Sequence, residues 1–161
     1  MPLIVLETEI NGAIEVCFDL SRSIDLHIIS TAHTGEKAVA GKTQGLIELN
    51  ESVTWRARYL YTWQTLTSQI TAFKYPTYFV DEMILGAFKS FRHEHLFRSV
   101  QSKTMMTDRF NFESPYGIAG KIFNNLYLTN YMTELLIERN NIIKEYAENG
   151  KWEDILRIRK S

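Results

Sequence analysis

Residues 89–113 read KSFRHEHLFRSVQSKTMMTDRFNFE. Apolar and polar side chains alternate through Lys89–Val100 and again through Lys103–Glu113, and only Gln101-Ser102 separates the two runs. Residues two apart on a strand point the same way, so the pattern predicts two strands. A parallel pair would need a crossover of about a dozen residues or more, and the short link therefore makes the pair antiparallel. Phe91, His93, His95 and Phe97 share one face, and Arg92, Glu94, Leu96 and Arg98 share the other. The first set is the more apolar at its ends and is expected to face inward, matched by Met106, Asp108, Phe110 and Phe112 on the next strand.

Outward from this pair, Leu46–Leu49, Ser52–Leu60, Gln64–Phe73 and Thr77–Leu85 show the same period of two, and their short links predict an antiparallel meander. Pro2–Ile10 is rich in Ile, Val and Thr and reads as a first strand ending at the turn Asn11-Gly12. Ile14–Leu20 and Ser23–Ser30 carry apolar residues at helical spacing but are short, so two helices broken near Ser21 to Ser23 are expected. Thr34–Gly45 holds Gly35, Gly41 and Gly45 and reads as a loop or an irregular edge segment. Ser114-Pro115 supplies a helix cap and first-turn proline. From Tyr116 onward, Ile118, Ile122, Phe123, Leu126, Tyr131, Leu135, Ile142, Ile143 and Tyr146 keep helical spacing for about eight turns, with a kink expected near Gly117 and Gly120. Asn149-Gly150 ends this helix, and Trp152, Ile155, Leu156 and Arg159 suggest a short terminal one.

A sheet with one apolar face must be covered, and only the long last helix can do it. The predicted fold is α+β, a curved antiparallel sheet wrapped around a long C-terminal α-helix, with two short helices after the first strand. Residues 1–149 form the domain, and residues 150–161 form a short helical extension.

Composition narrows the function. The 161 residues, 45% of them hydrophobic, suit a single core, and 18 Lys plus Arg against 19 Asp plus Glu leave a net charge of -1. No overall field recruits nucleic acid or an anionic membrane. No run of about 18 apolar residues is present, which disfavours a spanning helix. Cys17 is the only cysteine, and the opening MPLIVLETEI lacks the pattern of a secretory signal, so a reducing, cytoplasmic setting is expected.

The element order, together with VTWRARYL, FKYPTYFVDEMILGAFKSFRHEHLF and TDRFNFESPYGIAGKIF, resembles the START-related, Bet v 1-like (SRPBCC) superfamily. Within it the chain is similar to the bacterial polyketide cyclase/dehydrase and lipid-transport-like branch. The resemblance covers roughly Leu3 to Glu148. It implies a helix-grip fold with a hydrophobic cavity between sheet and long helix, and binding of a small apolar or amphipathic molecule. It does not imply one reaction, because fold and activity are separable.

Alternation assigns the cavity wall. Phe79, Asp81 and Met83 are expected to face inward beside Phe91, His93 and His95, with Met106, Asp108 and Phe110 beyond them. Trp55 lies with Val53 and Ala57 on one inner face, while Arg56 and Arg58 are solvated. Ser68 and Ile70 continue the wall after Leu66, and Tyr131, Met132 and Leu135 form the helix stripe that covers it. With tight turns, His93 is expected opposite Asp108, His95 opposite Met106, and Asp81 opposite His93. An imidazole between two carboxylates favours its charged form, and His93 with Asp108 or Asp81 is the candidate acid/base set. The same row also reads as a ligand-orienting anchor or, before either, as a hydrogen-bonded structural cluster. His93-x-His95 alone supplies too few ligands for a metal site, and neither a metal nor any other cofactor is expected. His27 is assigned to the surface or a cap near the cavity mouth.

Three motifs fail. Gly35–Thr43 departs from the GxxxxGK[ST] spacing by one residue and precedes a strand. Gly117-Ile-Ala-Gly120 lacks an RNA-binding context, and Asn50-Glu51-Ser52 is a sequon only in a secreted protein. Three functions stay open: a binding protein for a lipid, isoprenoid, aromatic or polyketide-like molecule; a cyclase- or dehydratase-type enzyme; and an interaction or homodimer module using the terminal helix. The first is preferred, with a hydrophobic small molecule as partner, no nucleic acid and no stable membrane insertion.

Overall fold

The run at residues 89–113 forms a hairpin of two long strands, Ser90–Val100 and Lys103–Glu113. Gln101 and Ser102 both take left-handed backbone angles, φ 49° and 67°, the geometry of a two-residue turn matched to strand twist. That turn pairs Val100 with Lys103, which places His95 opposite Asp108, His93 opposite Phe110 and Phe97 opposite Met106. The expected pairing of His93 with Asp108 and His95 with Met106 is therefore wrong by two residues. A shift of two preserves the face, and Phe91, His93, His95, Phe97, Met106, Asp108, Phe110 and Phe112 are all buried.

The computed structural model describes residues 2–59, 62–114, 117 and 127–157. In chain order the elements are β1 (Leu3–Ile10), α1 (Ile14–Ser21), α2 (Ile24–Ser30), β2 (Lys37–Gly41) and β3 (Ser52–Tyr59). There follow β4 (Thr62–Lys74), β5 (Tyr78–Leu85), β6 (Ser90–Val100), β7 (Lys103–Glu113), α3 (Thr129–Asn149) and α4 (Trp152–Arg157). The strands make one seven-stranded antiparallel sheet ordered β1-β7-β6-β5-β4-β3-β2. The meander from β2 to β7 thus ends beside the first strand.

Two segments differ from expectation. Leu46–Leu49 is not a strand, and only a single bridge joins Leu46 to Ser23. Its backbone serves the helical corner instead: Ile24 N–H donates to the Gly45 carbonyl and Ile47 N–H to that of Arg22, with Leu46 and Ile47 buried beneath. The edge strand is β2, from the segment read as a loop or irregular edge, and its pairing with β3 is broken by a bulge between Ala38 and Ala40. The Pro115 part of the expected cap, the helical positions Ile118, Ile122, Phe123 and Leu126, Gly120 of the kink, and Arg159 lie outside the described residues.

The local chemistry of the helices is plain. The Ser23 side chain caps α2 by accepting from Leu26 N–H at 3.1 Å, and Gly150 at φ 82° ends α3 in the left-handed conformation that glycine adopts without strain. Leu136, Arg139, Asn140, Ile143 and Ala147 are the buried residues of α3. Their spacing is one helical stripe, yet its middle is polar.

Phe18 of α1 anchors the core beneath that corner. Its ring is fully buried and meets Phe73, Tyr75, Phe79 and Phe97 edge-on at 5.2–5.3 Å between centroids. Phe18→Ala should lower stability by about 3–5 kcal/mol, measured by urea unfolding. A loss under about 1 kcal/mol would show that the aromatic cluster does not hold α1 to the sheet.

Candidate functional site

The register of β6 and β7 brings two imidazoles to one carboxylate. His93 Nε2 lies 2.8 Å from Asp108 Oδ1, and His95 Nδ1 lies 3.2 Å from the same oxygen. The polar middle of α3 completes the cluster. Asn140 Nδ2 donates to Asp108 Oδ2 at 2.6 Å, and Arg139 Nη1 lies 3.4 Å from Oδ1. Arg139 also donates to Asn140 Oδ1 at 3.1 Å and, from Nη2, to the Ser21 carbonyl of α1 at 3.1 Å. Asp108 has no exposed surface.

Burial alone would raise the Asp108 carboxyl. Hydrogen bonds from His93 and His95, with the charges of His93 and Arg139, outweigh it and hold the group well below the carboxylate range. An ionised Asp108 only accepts, so His93 carries its proton on Nε2. Burial, reinforced by neighbouring His93, pushes His95 well below the imidazole range, and this ring is neutral against Phe79, with which it stacks at 4.1 Å. Burial also works against the Arg139 charge, while Asp108 and Asp81 support it.

Beside this cluster lies a cavity of about 160 Å³ between the sheet and α3. Of the expected wall residues, Trp55, Ser68 and Ile70 line it from β3 and β4, Phe79 and Asp81 from β5, and Leu135 from α3. Phe91, His93, His95 and Phe110 line it too. Met83, Met106, Asp108 and Tyr131 do not. Met83 and Tyr131 pack on the Phe91–Phe112 side of the core. Met106 is fully enclosed and meets the Ser21 hydroxyl, which lies 3.4 Å from its Sδ. Asp108 is screened by its own partners.

Asp81 stands directly opposite His93, as the turn after β5 implied. Its Oδ1 is buried with no hydrogen-bond partner. Burial raises the Asp81 carboxyl, opposed by a hydrogen bond with Ser68 and the nearby charges of His93, His27 and Arg139. Two carboxyls on the same sheet thus sit in opposite states of provision, Asp108 saturated and Asp81 short of a partner.

His27, expected near the cavity mouth in a surface or capping role, lines the cavity there, its ring against Trp55 at 4.3 Å between centroids and its Nε2 3.2 Å from Glu36 Oε2. Arg139 and Asn140 were missed because charged and amide residues on a helix read as solvated. The available signal was the gap in the apolar stripe between Leu136 and Ile142.

His93, His95 and Asp108 offer three potential metal-ligand atoms within 4.8 Å of one another. The Arg139 guanidinium, 3.4 Å from the shared oxygen, already supplies the positive charge there and would repel a divalent ion. Burial pushes the Cys17 thiol up to about 11, which leaves it a packing residue without thiolate reactivity.

No protein-family model matches the sequence, and no curated protein matches it. Solved structures do share its architecture. A protein from Thermus thermophilus aligns with TM-score 0.69 at 15% identity over 88% of this chain and 97% of its own. Major latex-like protein 151 from Panax ginseng gives 0.67 at 15% identity, over 91% and 97%. A START superfamily protein from Mycobacterium smegmatis gives 0.68 at 8% identity, over 89% and 97%. The chain has the helix-grip fold of Bet v 1-like and START proteins. Among the described residues no helix is long and apolar enough to cross a membrane.

The two carboxyls should respond oppositely to amidation. Asp108→Asn leaves the buried Arg139 charge uncompensated and should cost about 3–5 kcal/mol, whereas Asp81→Asn should cost nothing or stabilise at pH 7. A carboxyl raised in the folded state contributes stability below its unfolded pKa of about 3.9 and loses it as pH rises through the folded value. Equal destabilisation by the two variants in urea would contradict this assignment.

The lowered His95 and Asp108 have the other sign. Their contributions are present above about 6.5 and 3.9, the unfolded values, and are lost as pH falls towards the folded ones. Wild-type stability should therefore begin to decline below about pH 6.5, and His95→Gln should flatten that first limb. An unchanged slope in the variant would remove His95 from the acid transition.

Proposed function

We propose that the protein binds a compact apolar or amphipathic small molecule in the cavity between the sheet and α3. The carrying observation is the cavity itself, about 160 Å³ with Leu66, Ile70, Phe79, Phe91, Phe110 and Leu136 in a wall that is mostly apolar, and with Arg22, His27, Glu36, Asp81, His93 and Arg139 at its polar points. Ligand sites have this composition, an apolar lining with a few polar atoms that set orientation. The volume suits a single ring, since an apolar cavity of about 150 Å³ takes benzene. Among the molecules the fold class suggests, it favours an aromatic, a short isoprenoid or one ring of a polyketide-like compound over a long acyl chain.

A saturable complex with single-ring aromatic probes should be detectable by native mass spectrometry and by calorimetry. Leu135→Trp, which fills the cavity from the helix side, should weaken uptake by about tenfold or more, equivalent to about 1.4 kcal/mol. Absence of uptake across an aromatic and isoprenoid panel, or equal uptake by the filled variant, would sink the reading.

One observation favours a second reading. The His93 ring lines the cavity while Asp108 holds its Nε2, an arrangement in which a carboxylate orients an imidazole for proton transfer. His93, with Asp81 opposite, would then serve cyclase- or dehydratase-type chemistry on a carbonyl-bearing substrate. In that case His93→Ala should reduce turnover by about 10²-fold or more, and an unaltered rate would remove His93 from any mechanism.

A further inference from the structure

We infer that the cavity selects a neutral ring-borne hydroxyl, as in a phenol, and binds it at the unpartnered Oδ1 of Asp81. The inference rests on the binding reading above and names the polar group of the ligand. Among the described residues, Asp81 Oδ1 is the one buried side-chain oxygen or nitrogen left without a hydrogen bond. A buried polar atom in that condition is costly, and native structures supply a partner from protein, water or ligand. Asp81 lines the cavity together with Phe79 of its own strand and Trp55 of β3.

The two guanidiniums of the lining are committed to other groups. Arg139 is spent on Asp108, Asn140 and the Ser21 carbonyl. Arg22 is paired with Asp19, 2.8 Å away, and bonds the Ile47 carbonyl. An anionic ligand would therefore find neither guanidinium free. A cationic ligand would meet both guanidiniums in the same small space, where the Glu36 carboxylate already faces His27 at 3.2 Å. What remains is a neutral ligand that can satisfy one carboxyl oxygen.

A hydroxyl is the group that does so in either protonation state of Asp81. It donates to a carboxylate and accepts from a neutral carboxylic acid. A methyl ether can only accept and a hydrocarbon can do neither. With a cavity the size of one ring, the ligand class reduces to a phenol or a comparably small cyclic alcohol.

The test compares phenol, anisole and toluene as probes by calorimetry on the intact protein. The wild type should bind phenol at least about tenfold more tightly than toluene, and more tightly than anisole at a pH where Asp81 is ionised and an ether has nothing to donate, since a buried polar group left unpaired opposes binding. Asp81→Leu should erase or reverse the phenol preference, and Asp81→Asn, which can both donate and accept, should retain most of it. Should Asp81→Leu fail to fold, infrared difference spectra decide instead. Phenol, and not toluene, should shift a carboxyl band that is missing from Asp81→Asn. Equal affinity for phenol and toluene, anisole binding as tightly as phenol at that pH, or a preference surviving in Asp81→Leu would each overturn the hydroxyl anchor while leaving the binding cavity intact. Failure of all three probes to bind would instead remove the cavity reading beneath it.

Discussion

Asp108 is the constraint on which the arrangement turns. A carboxylate with no exposed surface cannot remain ionised unless it is paired and hydrogen-bonded. Its partners come from two other elements: His93 and His95 from β6, and Arg139 and Asn140 from α3. Arg139 then reaches on to the last residue of α1 through the Ser21 carbonyl. One buried charge thus ties together sheet, long helix and helical corner. Its net worth in stability is small, because desolvation offsets much of the attraction. Its worth in geometry is larger, since any rotation or sliding of α3 that withdrew Arg139 would leave two buried charges apart.

That requirement shapes the cavity. Leu136, Ile143 and Ala147 pack against the sheet core, while Arg139 and Asn140 occupy the turn between them. His93, His95 and Arg139 still line the cavity, but their hydrogen bonds to Asp108 and its neighbours commit them there. Asp81 differs in having a buried oxygen with no partner. The same residue type therefore does two different things within one sheet: Asp108 organises the scaffold, and Asp81, raised by burial and short of a partner, holds a polar demand that the scaffold does not meet.

Much of this was legible in sequence, for reasons particular residues make clear. Alternation through Phe91, His93, His95 and Phe97 identifies the inward face because the period of a strand is two. The same alternation is blind to a shift of two, which is why the face was right and the rung wrong for His93 and His95. The rung depends on turn geometry at Gln101 and Ser102, where neither residue is a glycine and left-handed angles carry no strong compositional mark. Leu46–Leu49 misled in another way: the buried pair is the adjacent Leu46 and Ile47, with Leu49 exposed, the pattern of a loop packed on the core and not of a strand with alternating faces. Arg139 and Asn140 were illegible because their burial is dictated by a charge 31 and 32 residues away in sequence. The position of His27 near the mouth was legible and its part in the wall was not, because a histidine on a short helix has no local feature that distinguishes a cavity wall from a surface.

The contrast between the two carboxyls also bears on the choice between binding and catalysis. Proton transfer requires groups whose environments push their affinities apart and that both reach the substrate. Asp108 meets the first condition and not the second, as its oxygens are taken up by its partners. Asp81 and His93 meet the second, facing each other across paired strands. Any chemistry in this cavity would therefore run between Asp81 and His93, with Asp108 and Arg139 fixing the imidazole from behind. Binding needs less, only that Asp81 find the partner the protein does not provide.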